Sequence, residues 1–136
     1  MMNKPVEVII EVIVGDDYVI ATLKFSNVSP DDIYIDKRNA CLSGKIENDV
    51  FSITCNKSKA QYIGALSKLT PPGPDDVVKL EKGRSIMASV NLCDAYKLNK
   101  KGNDCSVTYG AYHSSPSNVS PSMVFKAVSD EATFHF

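Results

Sequence analysis

The stretch Val6-Glu7-Val8-Ile9-Ile10-Glu11-Val12-Ile13-Val14-Gly15-Asp16-Asp17-Tyr18-Val19-Ile20-Ala21-Thr22-Leu23-Lys24-Phe25 decides the fold class. Val6, Val8, Ile10, Val12 and Val14 recur at every second position, against Glu7, Ile9, Glu11 and Ile13. A period of two places one set on a wholly apolar face and the other on a mixed face, which is a half-buried strand. Gly15-Asp16-Asp17 supplies turn chemistry. Val19, Ala21, Leu23 and Phe25 then resume the alternation, so the stretch predicts an antiparallel hairpin. The hairpin ends in the polar run 26–32, where Pro30 cannot continue a ladder.

Working outward, the same pattern predicts strands over residues 33–35, 50–55, 60–63, 77–80, 85–92, 106–112, 124–128 and 132–136, with one helical turn over 94–98. No amphipathic helix of useful length interrupts them. Eight to ten short strands, with turn signals about every 8–12 residues, predict an all-β chain: one antiparallel β-sandwich domain of immunoglobulin-like type over residues 1–136. The chain has no Trp, the usual pin of an antibody domain. Cys41 and Cys55 also lie too close in sequence to be that family's intersheet pair, so the architecture is sandwich-like without being antibody-like.

Composition agrees with a folded domain. The 136 residues are 43% hydrophobic and 23% charged, the balance of an ordinary folded domain rather than a disordered tail. A net charge of −1 gives no basic face for nucleic acid or an acidic membrane, so neither is an expected partner. The longest apolar run near the start, Val8-Ile9-Ile10, is bounded by Glu7 and Glu11. A signal peptide needs roughly 7–15 uninterrupted apolar residues and a membrane helix about 20. The expectation is therefore a cytoplasmic protein as written, or a secreted one if a leader has been removed.

Four cysteines, Cys41, Cys55, Cys93 and Cys105, contain no Cys-x-x-Cys pair, which disfavours a zinc ribbon or thioredoxin-type site. Without an export signal the reading favours reduced thiols. If a bridge forms, Cys93 and Cys105, which flank the turn-rich residues 94–104, are the candidates. Three stretches, starting at Asn27, Asn56 and Asn118, match the glycosylation sequon. The pentapeptide Ser-Asn-Val-Ser-Pro occurs at residues 26–30 and 117–121 with unmatched flanks, which reads as two independent turns.

No catalytic constellation is present. His113 is expected to lead a loop and His135 to sit on an exposed strand face, with neither near a nucleophile. His-Glu-x-x-His, Gly-x-Ser-x-Gly and phosphate-loop spacings are all missing. No cofactor and no metal are expected. Asp16-Asp17, Asp31-Asp32 and Asp75-Asp76 would hold calcium only if they converged, and Asp favours turns regardless. A binding surface is the better reading. The loop Leu69-Thr70-Pro71-Pro72-Gly73-Pro74-Asp75-Asp76 is proline-stiffened, and sandwich domains recognise partners through loops on a rigid scaffold. Leu69, Pro71, Pro72, Pro74, Asp75 and Asp76 are the candidate partner-binding residues. Tyr62 and Tyr96 are candidate anchors, alongside Tyr109 and Tyr112, with core filling the competing role for at least two of the four.

From residue 51 to 109 an ordered set of short motifs accumulates: Phe51-Ser52-Ile53, Tyr62-Ile63-Gly64, Leu80-Glu81-Lys82-Gly83-Arg84-Ser85, Val90-Asn91-Leu92-Cys93-Asp94-Ala95-Tyr96, Gly102 and Val107-Thr108-Tyr109. In order and gaps this resembles the non-catalytic, propeptide-like β-domain that precedes the deuterolysin and peptidyl-Lys metalloendopeptidases. The resemblance implies a stand-alone copy of that domain, since the protease motifs are missing. Cys105 stands where the pattern places an aromatic. It further implies a non-enzymatic inhibitor or escort whose protein partner is a metalloendopeptidase, with Asp75 or Asp76 as zinc-facing groups. The alternatives are a carbohydrate- or calcium-binding sandwich, or a self-assembling structural subunit that pairs through a strand such as residues 6–14. Monomer and homodimer both remain open.

Overall fold

In the computed structural model, which describes residues 4–66, 71–99, 102–116, 118–119 and 122–136, β1 (Val6–Val14) and β2 (Val19–Asn27) form the expected hairpin. They pair antiparallel from Val6↔Asn27 to Val14↔Val19. Val6, Val8, Ile10, Val19, Ala21, Leu23 and Phe25 are all buried. At the distal end of β1 the core no longer covers the apolar face, and Val14 is exposed; Ile13 is exposed because it shares the outward face with Glu7, Ile9 and Glu11. The remaining strands are β3 (Ile33–Asp36), β4 (Phe51–Cys55), β5 (Ser58–Lys59), β6 (Val77–Leu80), β7 (Ser85–Asn91), β8 (Asp104–Ser114), β9 (Val124–Val128) and β10 (Ala132–His135).

One sheet has the order β1-β2-β7 and a second the order β10-β8-β4-β5, with β9 pairing the far half of β8. β3 and β6 form a two-stranded ribbon of their own. All these ladders are antiparallel, so the chain is the all-β sandwich that its alternation predicts. β9 and β10 flank the same side of β8, interrupted at residues 129–131. There Ser129 bridges the gap: its N–H donates to Tyr109 C=O at 3.0 Å, and its Oγ accepts the Tyr109 N–H at 2.8 Å.

Apolar faces of the two sheets meet in one core. A chain of ring contacts runs through it: Tyr62–Tyr96 at 5.2 Å, Tyr96–Phe51 at 6.2 Å, Phe51–Tyr109 at 5.8 Å and Tyr109–Phe25 at 5.4 Å. It continues through Phe25–His113 at 6.1 Å to His113–Phe125 at 5.6 Å. These mostly edge-to-face pairs add about 0.5–1.5 kcal/mol each beyond area burial. They provide the fixed centre that a Trp would otherwise supply.

Local chemistry explains the turns. Gly83, between β6 and β7, has φ +78°, a conformation that costs Gly nothing and a side chain with Cβ much more. Asn56 and Lys57 both take positive φ, 47° and 68°. They form a two-residue primed turn between β4 and β5, a hairpin not visible in the hydrophobic pattern.

Several expectations are corrected. Residues 60–63 do not form a strand, because their hydrogen bonds are divided between two neighbours. Ala60 N–H reaches Ile53 C=O at 2.8 Å, whereas Ile63 N–H reaches Ala95 C=O at 2.8 Å, leaving one isolated Tyr62↔Tyr96 bridge. The helical turn falls earlier, at Leu92–Asp94, where Asn91 Oδ1 accepts the Cys93 N–H at 3.1 Å. The cysteines are not all reduced, and Cys93 does not pair with Cys105. Cys55 and Cys105 lie directly opposite each other on β4 and β8 and form a disulfide, while Cys41 and Cys93 are free. The cross-strand register, invisible to spacing, selects the pair. No helix among the described residues is long and apolar enough to cross a membrane.

Candidate functional site

Leu69 lies outside the described residues; residues 71–76 do not. Pro71, Pro74 and Asp75 are exposed and Pro72 is buried. Asp76 closes a single 3-10 turn at Pro74–Asp76: its Oδ2 accepts the Gly73 N–H at 2.9 Å, and its own N–H donates to Gly73 C=O at 3.0 Å. The loop is stitched to the segment after β3. Lys37 donates its backbone N–H to Asp76 C=O at 2.8 Å and its Nζ to Asp75 C=O at 3.1 Å. Prolines fix φ and these bonds tie residues 73–76 to the segment after β3, so this part of the loop is held on the scaffold.

Beneath it lies a cleft of about 260 Å³, lined in part by Pro71, Pro72, Arg38, Tyr112, His113 and Val124. Tyr112 and Val124 face each other's strands across the β8–β9 ladder and are 63% and 68% exposed. Lys126 Nζ sits 5.6 Å from the Tyr112 ring centroid, close enough for a cation–π contact. The rim is therefore apolar, aromatic and open.

The floor is polar and closed. Asp36 is buried, and its carboxylate takes the Arg38 guanidinium in a two-point contact, Nε to Oδ1 at 3.0 Å and Nη2 to Oδ2 at 2.8 Å. That hydrogen bond is the main reason the Arg38 pKa lies above its ordinary value. His113 does not lead a loop as expected; it continues the inward phase of Cys105, Val107, Tyr109 and Ala111 on β8 and is 1% exposed. Its Nδ1 accepts the Asp36 N–H at 2.9 Å, so the neutral ring carries its proton on Nε2. From there it donates to Tyr109 Oη at 2.9 Å, and Tyr109 O–H donates to Asn39 C=O at 2.5 Å. Burial lowers the His113 pKa to about 4, outweighing the Asp36 carboxylate, which acts in the opposite direction.

The tyrosine anchors separate. Tyr96 is 2% exposed, with its Oη accepting the Phe51 N–H at 2.9 Å and donating to Asp49 Oδ1 at 2.7 Å. It is a core residue, and its candidacy as a partner anchor is withdrawn. Tyr62 is half-buried against Tyr96, donates its hydroxyl to Ala65 C=O, and does not line the cleft. Pro72, being buried, belongs to the floor. Tyr112, one of the four tyrosines considered as anchors, is the one that reaches the rim, and Val124 is the rim residue that the sequence reading does not single out. Their alternation with buried neighbours on β8 and β9 was the available signal.

The three acidic pairs do not converge. Among the described residues no group of three or more His, Cys, Asp or Glu side chains is placed to hold a metal. Asp32 instead accepts the Lys82 N–H at 3.1 Å and pairs with Lys79 at 3.6 Å. His135 is on the exposed strand face expected of it, 3.0 Å from Asp104. No family model matches this chain, and no curated protein matches it.

Proposed function

We propose that this chain is a non-enzymatic protein-binding β-sandwich whose partner lies across the cleft between the proline loop and the β8–β9 hairpin. The observation that carries the reading is the open rim of Pro71, Tyr112 and Val124 above a hydrogen-bonded floor. Exposed aromatic and proline groups on a rigid base lose little entropy when a partner covers them.

The candidate partner is a metalloendopeptidase, on the motif resemblance over residues 51–109. In that complex the loop enters the protease cleft and an exposed carboxylate approaches the zinc. Asp75 is the better placed of the two loop aspartates, since the Asp76 carboxylate is engaged by Gly73. A disulfide between Cys55 and Cys105 favours the secreted alternative, because such bonds persist in oxidising compartments.

The test is an inhibition titration against a deuterolysin-type metalloendopeptidase. Saturable, near-stoichiometric loss of peptide cleavage supports the reading, and loss of that effect on deleting residues 71–74 places it at the loop. Full protease activity at excess protein removes this partner. Inhibition that survives the deletion removes the loop.

A further inference from the structure

One sheet ends at β1 and β7, the other at β5 and at the β9–β10 side of β8, and these ends differ. β1 ends its sheet, but Val8 bridges Ser129, so this edge is closed at its base by the segment joining β9 to β10. β5 is only two residues long. β7 is different: among the described residues the β1-β2-β7 ladder stops there and nothing pairs with its far side.

The Asn27 N–H to Arg84 C=O bond of 2.9 Å sets the phase of the β2–β7 ladder. By strict alternation Ile86, Ala88 and Val90 bond to β2, whereas Ser85, Met87, Ser89 and Asn91 turn their backbone N–H and C=O groups outward. The Thr22–Ser89 and Ser26–Ser85 hydroxyl contacts, both 2.8 Å, fall at the closely spaced non-bonded pairs, as this phase requires. Edges of this kind template the addition of another strand, and natural proteins blunt them with charge, proline or bulges. The seven residues Ser85-Ile86-Met87-Ala88-Ser89-Val90-Asn91 contain no charge and no proline, and Met87 is 63% exposed.

We infer that β7 is a homodimer interface, pairing antiparallel with β7 of a second copy about a two-fold axis through Ala88. That register is self-complementary. It sets Met87 opposite the partner's Ser89, Ser85 opposite the partner's Asn91, and Ile86 opposite the partner's Val90. Every outward residue meets another outward residue, so the hydrogen bonds form in phase. No like charges face each other, and the apolar inner faces join across the axis. The product is one continuous sheet, β1-β2-β7 followed by the same three strands reversed. This surface is separate from the cleft under the proline loop.

The test uses the full chain and two paired variants at exposed positions. Sedimentation equilibrium of the wild type is expected to show mass rising with concentration to twice that of the chain. Met87→Glu with Ser89→Glu sets carboxylates opposite each other at both crossings and is expected to abolish the dimer. Met87→Glu with Ser89→Lys sets opposite charges there and is expected to keep it. Concentration-dependent slowing of hydrogen exchange at the Met87 and Ser89 amides is the matching residue-level readout. A wild type that stays at one chain mass at the highest attainable concentration overturns the inference. So does a dimer that persists in the Glu/Glu variant, or one lost equally in both.

Discussion

The His113 ring nitrogen Nδ1, on β8, accepts the backbone N–H of Asp36 on the β3–β6 ribbon, at 2.9 Å, and that single bond fixes the ring's charge state. A protonated His113 would carry a proton on both nitrogens and have no acceptor for Asp36. Burial pushes the same way, lowering the His113 pKa from 6.5 to about 4. The unfolded chain therefore binds more protons than the folded one between those values. Its stabilising contribution is complete above pH 6.5, and it is lost as the pH falls toward 4. The shift corresponds to on the order of 3 kcal/mol. Urea unfolding at stepped pH is expected to show this loss in the wild type and a shallower one in His113→Gln. Equal slopes for the two proteins would refute the assignment.

Cys55 and Cys105 close a loop of sequence separation 50. The chain-entropy relation gives about 4 kcal/mol for a loop of that length. Oxidised protein is expected to show two titratable thiols when unfolded and one fast-reacting thiol when native. The fast one is Cys93, which is half-buried. Cys41 is buried and its thiol is pushed up to about 12, so it reacts slowly. Reduction is expected to lower the urea midpoint. Four thiols in unfolded, unreduced protein would show that the bridge does not form.

Asn27 opens a glycosylation sequon, yet its side chain is fully committed. Its Nδ2 donates to Asp31 C=O at 2.8 Å and Leu80 C=O at 2.9 Å, and its Oδ1 accepts from Ser29 N–H at 2.9 Å and Ser29 Oγ at 2.7 Å. Asn27→Asp keeps the shape but turns both donors into acceptors facing carbonyls. A loss of about 2–4 kcal/mol is expected, as for other buried groups left unpaired. After expression through a secretory pathway, mass spectrometry of folded protein is expected to find no glycan on Asn27. A glycan there, or an Asn27→Asp variant as stable as the wild type, would contradict this burial.

Which features were readable from sequence follows from how local their causes are. The β1–β2 hairpin depends on alternation and a Gly-Asp-Asp turn within twenty-odd residues, and both lie in plain view. His113 was misplaced because Ser114, Ser115 and Pro116 look like a loop, although the alternation from Cys105 onward already carried it inward. The disulfide depends on the β4–β8 register, which joins residues fifty positions apart and leaves no local trace. The cleft combines the proline loop with β8 and β9, so the loop and Tyr112 were legible singly, while Val124 and the meeting of the three were not.

Tyr96 and Tyr112 test the division between core and surface. Removing the Tyr96 hydroxyl leaves the buried Phe51 N–H without its acceptor and Asp49 without its donor. Tyr96→Phe is therefore expected to cost about 1–3 kcal/mol in urea unfolding. Burial, with the Asp49 contact adding to it, also holds the Tyr96 pKa far above its ordinary value, so its ring is expected to stay un-ionised in a spectrophotometric alkaline titration until the fold opens. Tyr112→Ala removes a ring that is 63% exposed, and stability is expected to change by no more than about 0.5 kcal/mol. If the cleft is the partner surface, Tyr112→Ala weakens inhibition of the candidate protease about tenfold or more, as loss of an aromatic anchor does. Tyr96→Phe leaves that inhibition unchanged at temperatures where it is folded. The opposite pattern, a destabilising Tyr112→Ala or unchanged inhibition with it, would move the binding surface away from the β8–β9 hairpin.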